Sequence, residues 1–209
     1  TGEVDVTGAW VHVTLKNAFL NPIVIAGPPS FNNSAPGVIR LRNVTATGFD
    51  IRFAEWDYLD GVHPAETVSY MVLEKGSHAL PDGSIVEAGS FVGTTAFATV
   101  QYSKTFSEIP VVLTTIASVN GNDTISGRVK NISTTGFGYM FREQEKNRNT
   151  HANETVGYVA WQPGTGNIGS LQYQVAATAK TVTNVWYPIT LGKAFVDPPL
   201  VLAGMQTTS

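Results

Sequence analysis

The stretch "RLRNVTATGFDIRF", Arg40 to Phe53, decides the fold, because it occurs twice. Its second version is "RVKNISTTGFGYMF", Arg128 to Phe141. In the first version Phe49, Ile51 and Phe53 alternate with Asp50 and Arg52, the period-two pattern of a strand with one face in a core. Thr-Gly before the phenylalanine is turn chemistry.

Working outward, the register holds over a long distance. Shifted by 88 residues, Pro22 falls on Pro110, Glu55 on Glu143, His63 on His151, Tyr70 on Tyr158 and Gly76 on Gly164. The triplet "ETV" at Glu66 falls on "ETV" at Glu154. A third copy begins, since "WVHVTLKNAF" from Trp10 matches "WYPITLGKAF" from Trp186. The expected division is a first repeat over 1–95 and a second over 96–184. Residues 185–209 are the opening strands of a third repeat or strands completing the second module.

Each repeat reads as all-β. Ile23–Ala26 and Val111–Ile116 are short β-rich runs after prolines, and Thr67–Leu73 is apolar on both faces like a central strand. Turns at "PDGS" (Pro81) and "NGND" (Asn120) punctuate the runs. "REQEKNRN" from Arg142 has no apolar face and reads as a solvated loop. The expected fold class is tandem antiparallel β-sandwich modules.

Composition narrows the function. Of 209 residues, 43% are hydrophobic, enough for a real core. Only 14% are charged and the net charge is −3, so the basic footprint of a nucleic-acid binder is missing. No apolar run approaches membrane-spanning length, and no signal peptide opens the chain. There is no cysteine, which removes disulfides and thiolate chemistry. Five Asn-x-Ser/Thr sequons, at Asn32, Asn43, Asn122, Asn131 and Asn153, carry little weight in a chain so rich in these residues.

The repeats resemble H-type lectin domains. The resemblance rests on Phe19 with "NPIVIAG", Phe106 with "IPVVLTTI" and Phe195 with "DPPLVLAG". It extends through the arginine-to-Thr-Gly-Phe stretches, Trp56 seven residues after Phe49, and the aromatic strands "TVSYMVLEKG" and "TVGYVAWQPG". It implies a six-stranded sandwich, trimeric assembly, and galactose or N-acetylgalactosamine bound at shallow inter-subunit sites. The family places an aromatic followed by His at the ligand. Here Trp56-Asp57 stands there in the first repeat and Gln144-Glu145 in the second.

Trp56 falls on the non-core face at a strand end, where an indole could stack on a pyranose or be packed under its own loop. The expected carbohydrate contacts are Trp56 and Tyr58 stacking on sugar, with Asp57, Arg52 and His63 on its hydroxyls. Arg148, Asn149 and His151 are the weaker counterpart in the second repeat. Arg40, Glu55, Glu66, Arg128, Glu143 and Glu154 recur, so they read as a structural polar network, with the arginines and histidines as candidate partners of Glu55 and Glu143; the recurring His63 and His151 have a second reading as loop-anchoring hydrogen-bond donors.

A cation among Asp57, Asp60, His63 and Glu66 is disfavoured, because Arg148 replaces Asp60 in the second copy. The carboxylates could serve a glycosidase, but the set changes between copies. No cofactor, metal or catalytic residue is expected. The reading is a secreted or cell-surface carbohydrate-binding protein, an ancillary or adhesive part of a larger polypeptide, with polysaccharide or glycan as partner. The competing reading is an adhesive repeat whose long loops make module or subunit contacts. Assembly as homo-oligomer or as pseudo-oligomer within a longer repeat chain stays open.

Overall fold

A computed structural model describes residues 1–143 and 151–207. Six strands build the first sandwich: β1 (Gly2–Val6), β2 (Val11–Thr14), β3 (Pro22–Pro29), β4 (Gly37–Thr45), β5 (Gly48–Glu55) and β6 (Glu66–Glu74). They form two antiparallel sheets, β1-β6-β3 and β2-β5-β4. Phe49, Ile51 and Phe53 point between the sheets with Leu41, Val24 and Val68, as the alternation predicts.

The second sandwich follows the same plan. Its strands are β8 (Ile85–Gly93), β9 (Ala98–Gln101), β10 (Val111–Ile116), β11 (Ile125–Lys130), β12 (Gly136–Glu143) and β13 (Glu154–Trp161). The sheets are β10-β13-β8, extended at its edge by β7 (Gly76–Ala79), and β11-β12-β9. Phe137, Tyr139, Phe141, Val156 and Tyr158 fill the core. Asn43 and Asn131 hold φ of 50° and 51°, a left-handed conformation that asparagine tolerates better than bulkier residues. That gives the two "RN/KN" turns a conformational reason to keep asparagine.

Hydrogen bonding sets a different phase from the expected division at 95. β8 pairs with β13 along its whole length, so Ile85–Gly93 is a strand of the second sandwich. A repeat defines a period but not where each module starts; strand pairing supplies the start. β14 (Gly164–Ile168) and β15 (Leu171–Val175) form a hairpin of their own. Residues 176–207 add no strand to the second module's sheets.

The two sandwiches pack through the outer faces of β1-β6-β3 and β8-β13-β10. Ile23, Ile25 and Met71 meet Val86, Ala88, Val159 and Trp161 in a third core. This explains the strands that are apolar on both faces: Val24 and Val68 enter the first core while Ile25 and Met71 enter the shared one. Leu113, Leu202 and the hairpin residue Tyr173 belong to the same shared core.

Candidate functional site at the module junction

The loop between β5 and β6 begins where Glu55 ends its strand. Its base is pinned by buried polar groups. Glu66 accepts hydrogen bonds from the Ser30 hydroxyl, from the Asn32 N–H at 2.9 Å and from the Asn33 N–H at 3.2 Å. The Asn32 side chain donates to the Ala65 carbonyl at 2.8 Å. His63 stacks on Phe53 with ring centroids 4.0 Å apart. Both its ring nitrogens are engaged by carbonyl oxygens, Nδ1 by Pro64 at 2.9 Å and Nε2 by Ala35 at 3.2 Å. The loops 30–36 and 56–65 are thereby tied to each other. Both oxygens of the buried Glu66 carboxylate find donors here, as its desolvation demands.

The second sandwich repeats this brace. Glu154 accepts from the Ser118 hydroxyl, the Asn120 N–H at 2.9 Å and the Gly121 N–H at 3.1 Å. His151 is engaged by Ala152 and Asp123 carbonyls at 2.7 and 3.2 Å. These positions correct the expectation for the histidines. His63 and His151 are buried, with both nitrogens committed to the backbone, so neither reaches a ligand in solvent.

Arg40 corrects a second expectation. Its side chain leaves β4 and enters the loop of the other sandwich, where it is 0% exposed. Nη1 donates to the Asp123 carbonyl at 2.9 Å; Nη2 donates to Ser118 and Gly121 carbonyls at 3.4 Å and to Glu154 at 3.5 Å. Its partner is therefore Glu154 across the junction, not Glu55. Burial pulls the Arg40 guanidinium below its ordinary pKa, and the Glu154 carboxylate opposes that pull. Glu55 instead accepts from the Gly61 N–H at 3.0 Å, inside its own loop. Arg128, the counterpart of Arg40, is exposed and bonds to Ser126 Oγ and the Gly127 carbonyl, at 2.7 and 3.1 Å. Burial first, then Asp123, pushes the Glu143 carboxyl above its ordinary value.

Around this clamp the first loop meets the second sandwich. Asp57 accepts from the Thr124 N–H at 3.2 Å, and the Thr124 hydroxyl donates to the Glu55 carbonyl at 2.8 Å. Trp56 is half-buried, its backbone N–H donating to the Pro36 carbonyl at 3.2 Å. Tyr58 stands 59% exposed. Trp56, Asp57 and Tyr58 thus share one loop beside the 118–124 loop.

Arg52 is elsewhere. Its guanidinium lies 4.7 Å over Trp10, with Arg42 over the same ring at 4.2 Å. Burial, then Arg42, lowers the Arg52 pKa. Arg148 and Asn149 lie outside the described residues. Sequence reasoning missed Trp10, Asp123 and Thr124; only the recurrence of Trp10 at Trp186 gave a signal. Among the described residues no three His, Asp or Glu side chains stand close enough to hold a metal. No described helix is long and apolar enough to cross a membrane.

Residues 97–161, from β9 through β13, match the family model of the H-type lectin domain. That segment is an H-type lectin domain. Over 209 aligned residues the chain is 34% identical to halomucin of Haloquadratum walsbyi (strain DSM 16790 / HBSQ001), a match that covers 94% of this chain. The chain spans about 2% of halomucin's length. No solved structure matches. The H-type lectin domain so matched contains the Glu154 brace and the loop that receives Arg40.

Proposed function

We propose that the chain binds carbohydrate without catalysis, through lectin-like modules in tandem, as an ancillary or adhesive part of a secreted or surface protein. The observation that carries this is Tyr58, an exposed aromatic beside half-buried Trp56 on a loop fixed at both ends. An aromatic ring stacks on the C–H face of a pyranose, and the carboxylates and peptide groups of the junction offer partners for hydroxyls. A loop already fixed loses little entropy on binding. Each site is shallow and weak, and repetition supplies avidity. The H-type lectin match favours a glycan ligand, and the great length of halomucin favours an ancillary role.

One observation favours the competing reading, in which the long loop serves module contacts alone. The Asp57 carboxylate is already engaged by Thr124 across the junction. A glycan array and polysaccharide affinity gels decide between the two. On the lectin reading the wild type is retained, and Tyr58→Ala and Trp56→Ala lose retention. On the contact reading no glycan is retained, and Asp57→Asn loosens the junction. Retention unaffected by either aromatic substitution would move the site elsewhere.

A further inference from the structure

The sheet β2-β5-β4 keeps one face in the first core and turns the other outward. Asp50 and Arg52 alternate with core-facing Phe49, Ile51 and Phe53, so both lie on the outer face. Asp50 sits opposite Arg42 on one side and His12 on the other. It accepts from Arg42 Nε at 3.2 Å and from the Asn43 side chain at 2.8 Å, and meets His12 Nδ1 at 2.9 Å. That carboxylate is fully engaged. Arg52 receives nothing from it. Among the described residues no acceptor takes an N–H of Arg52, its Nε is buried without a partner, and no carboxylate offsets the neighbouring Arg42 charge.

Part of this arrangement belongs to the frame. Val13 faces Phe49 in the first sandwich as Val100 faces Phe137 in the second, so Trp10 and Phe97, three residues earlier, hold one position. Lys130, the counterpart of Arg42, lies 3.6 Å over Phe97, just as Arg42 lies over Trp10. One cation on one ring is therefore common to both sandwiches. The second cation is not. Met140 stands at the Arg52 position and Gly138 at the Asp50 position, and the equivalent sheet forms without either charge. Arg52 is half-buried beside a like charge, a cost that no contact among the described residues returns. A guanidinium stacked on an indole keeps its N–H edge free in the plane, a fork shaped for an oxyanion. The Arg42 and His12 side chains, 40% and 59% exposed, leave the patch open to solvent. The whole chain carries −3, so attraction for an anion must be local, and this face supplies it.

We infer that Trp10, Arg42 and Arg52 form a binding site for an acidic saccharide, one that carries a uronate carboxylate or a sulfate ester. Arg52 gives its free N–H groups to the oxyanion, Arg42 adds its charge, and the indole borders the sugar ring. The inference takes from the proposed function only the glycan class of the ligand, and it uses no residue of the Tyr58 loop.

Isothermal titration calorimetry on the full chain tests it with a galacturonate oligomer, a sulfated galactose oligomer and a neutral galactose oligomer of equal length. Arg52→Met is expected to weaken acidic binding about tenfold or more, the loss of a charge-assisted hydrogen bond, and to leave neutral binding as it was. Loss for the uronate, the sulfate or both assigns the oxyanion. Methionine already stands at this position in the second sandwich, so the variant is expected to melt with the wild type. Arg52→Lys, which keeps the charge but not the fork, is expected to weaken acidic binding as well. Lys104→Gln, which removes an exposed charge elsewhere, is expected to change nothing. No acidic binding by the wild type, an Arg52→Lys that binds like it, a Lys104→Gln that loses as much as Arg52→Met, or acidic binding abolished by Tyr58→Ala overturns the inference. Neutral binding alone removes this site and leaves the Tyr58 site standing; acidic binding alone does the reverse.

Discussion

Removing Arg40 tests the junction directly. The Arg40→Ala variant deletes a guanidinium that is 0% exposed and touches three carbonyls and one carboxylate of the other sandwich. Breaking a buried ion pair from one side costs about 3–5 kcal/mol, because the other charge stays buried. Two features place Arg40 at the lower end. Its distance to Glu154 is 3.5 Å, and Glu154 keeps its Ser118, Asn120 and Gly121 donors. Against that, the Asp123 carbonyl loses its 2.9 Å partner. About 3 kcal/mol is expected, which for a chain of this size is roughly 6–12 °C in Tm. Differential scanning calorimetry reads both the shift and its shape. With the clamp gone, the sandwiches are expected to melt in two separated transitions in place of one. A single transition within about 2 °C of wild type would refute the clamp.

Four further outcomes follow from the same geometry. Glu154→Gln is expected to cost more than Glu66→Gln in urea unfolding, since the two braces match but only Glu154 faces a buried arginine; equal costs would remove the ion pair from the account. Ile25→Ala, at 2% exposure in the shared core, is expected to cost about 2–5 kcal/mol and to separate the two transitions as Arg40→Ala does; one intact transition speaks against a shared core. Asp82 is held down to about 2 by the hydrogen bond from the Tyr173 hydroxyl, then by Ser84. Its folded pKa lies below the ordinary value of 3.8, so its contribution is present above that value and lost as pH falls towards 2. The β14–β15 hairpin is therefore expected to loosen over that interval, seen as Trp161 fluorescence change, and Asp82→Asn is expected to flatten the titration. Finally, Tyr58→Ala is expected to leave stability within about 0.5 kcal/mol while abolishing glycan retention; a large drop in Tm would make Tyr58 a structural residue.

The strands were legible because their information is local. "FDIRF" alternates, "TGF" turns, and the 88-residue register repeats both. The function of the repeated polar residues was legible only in part. Recurrence marked Arg40 and Glu154 as belonging to the scaffold, but a recurrence cannot distinguish a bond within a module from one between modules. Their 114-residue separation is closed only by the packing of two sheets. His63 had two readings, and the structure fits the loop anchor rather than the sugar contact. Beside carboxylates and aromatics it reads as a ligand for hydroxyls, yet the loop turns its ring onto Phe53 and backbone carbonyls satisfy it. The start of each module was hidden as well, because β8 is assigned by its partner β13 and not by its own residues.

The paired brace of Glu66 and His63 has a consequence for how such a surface can diversify. Both anchors lie at the C-terminal end of the loop and bind the neighbouring 30–36 segment, while Asp57 and Gly61 hold the flanks, so the short stretch from Tyr58 to Asp60 contributes little to holding the fold. Its residues can be exchanged for others of similar length with the frame left standing, as in a display scaffold with a replaceable insert. Neighbouring copies of one gene segment could then drift toward different targets while keeping a common chassis, and a grafted library at 58–60 would start from a protein that already folds.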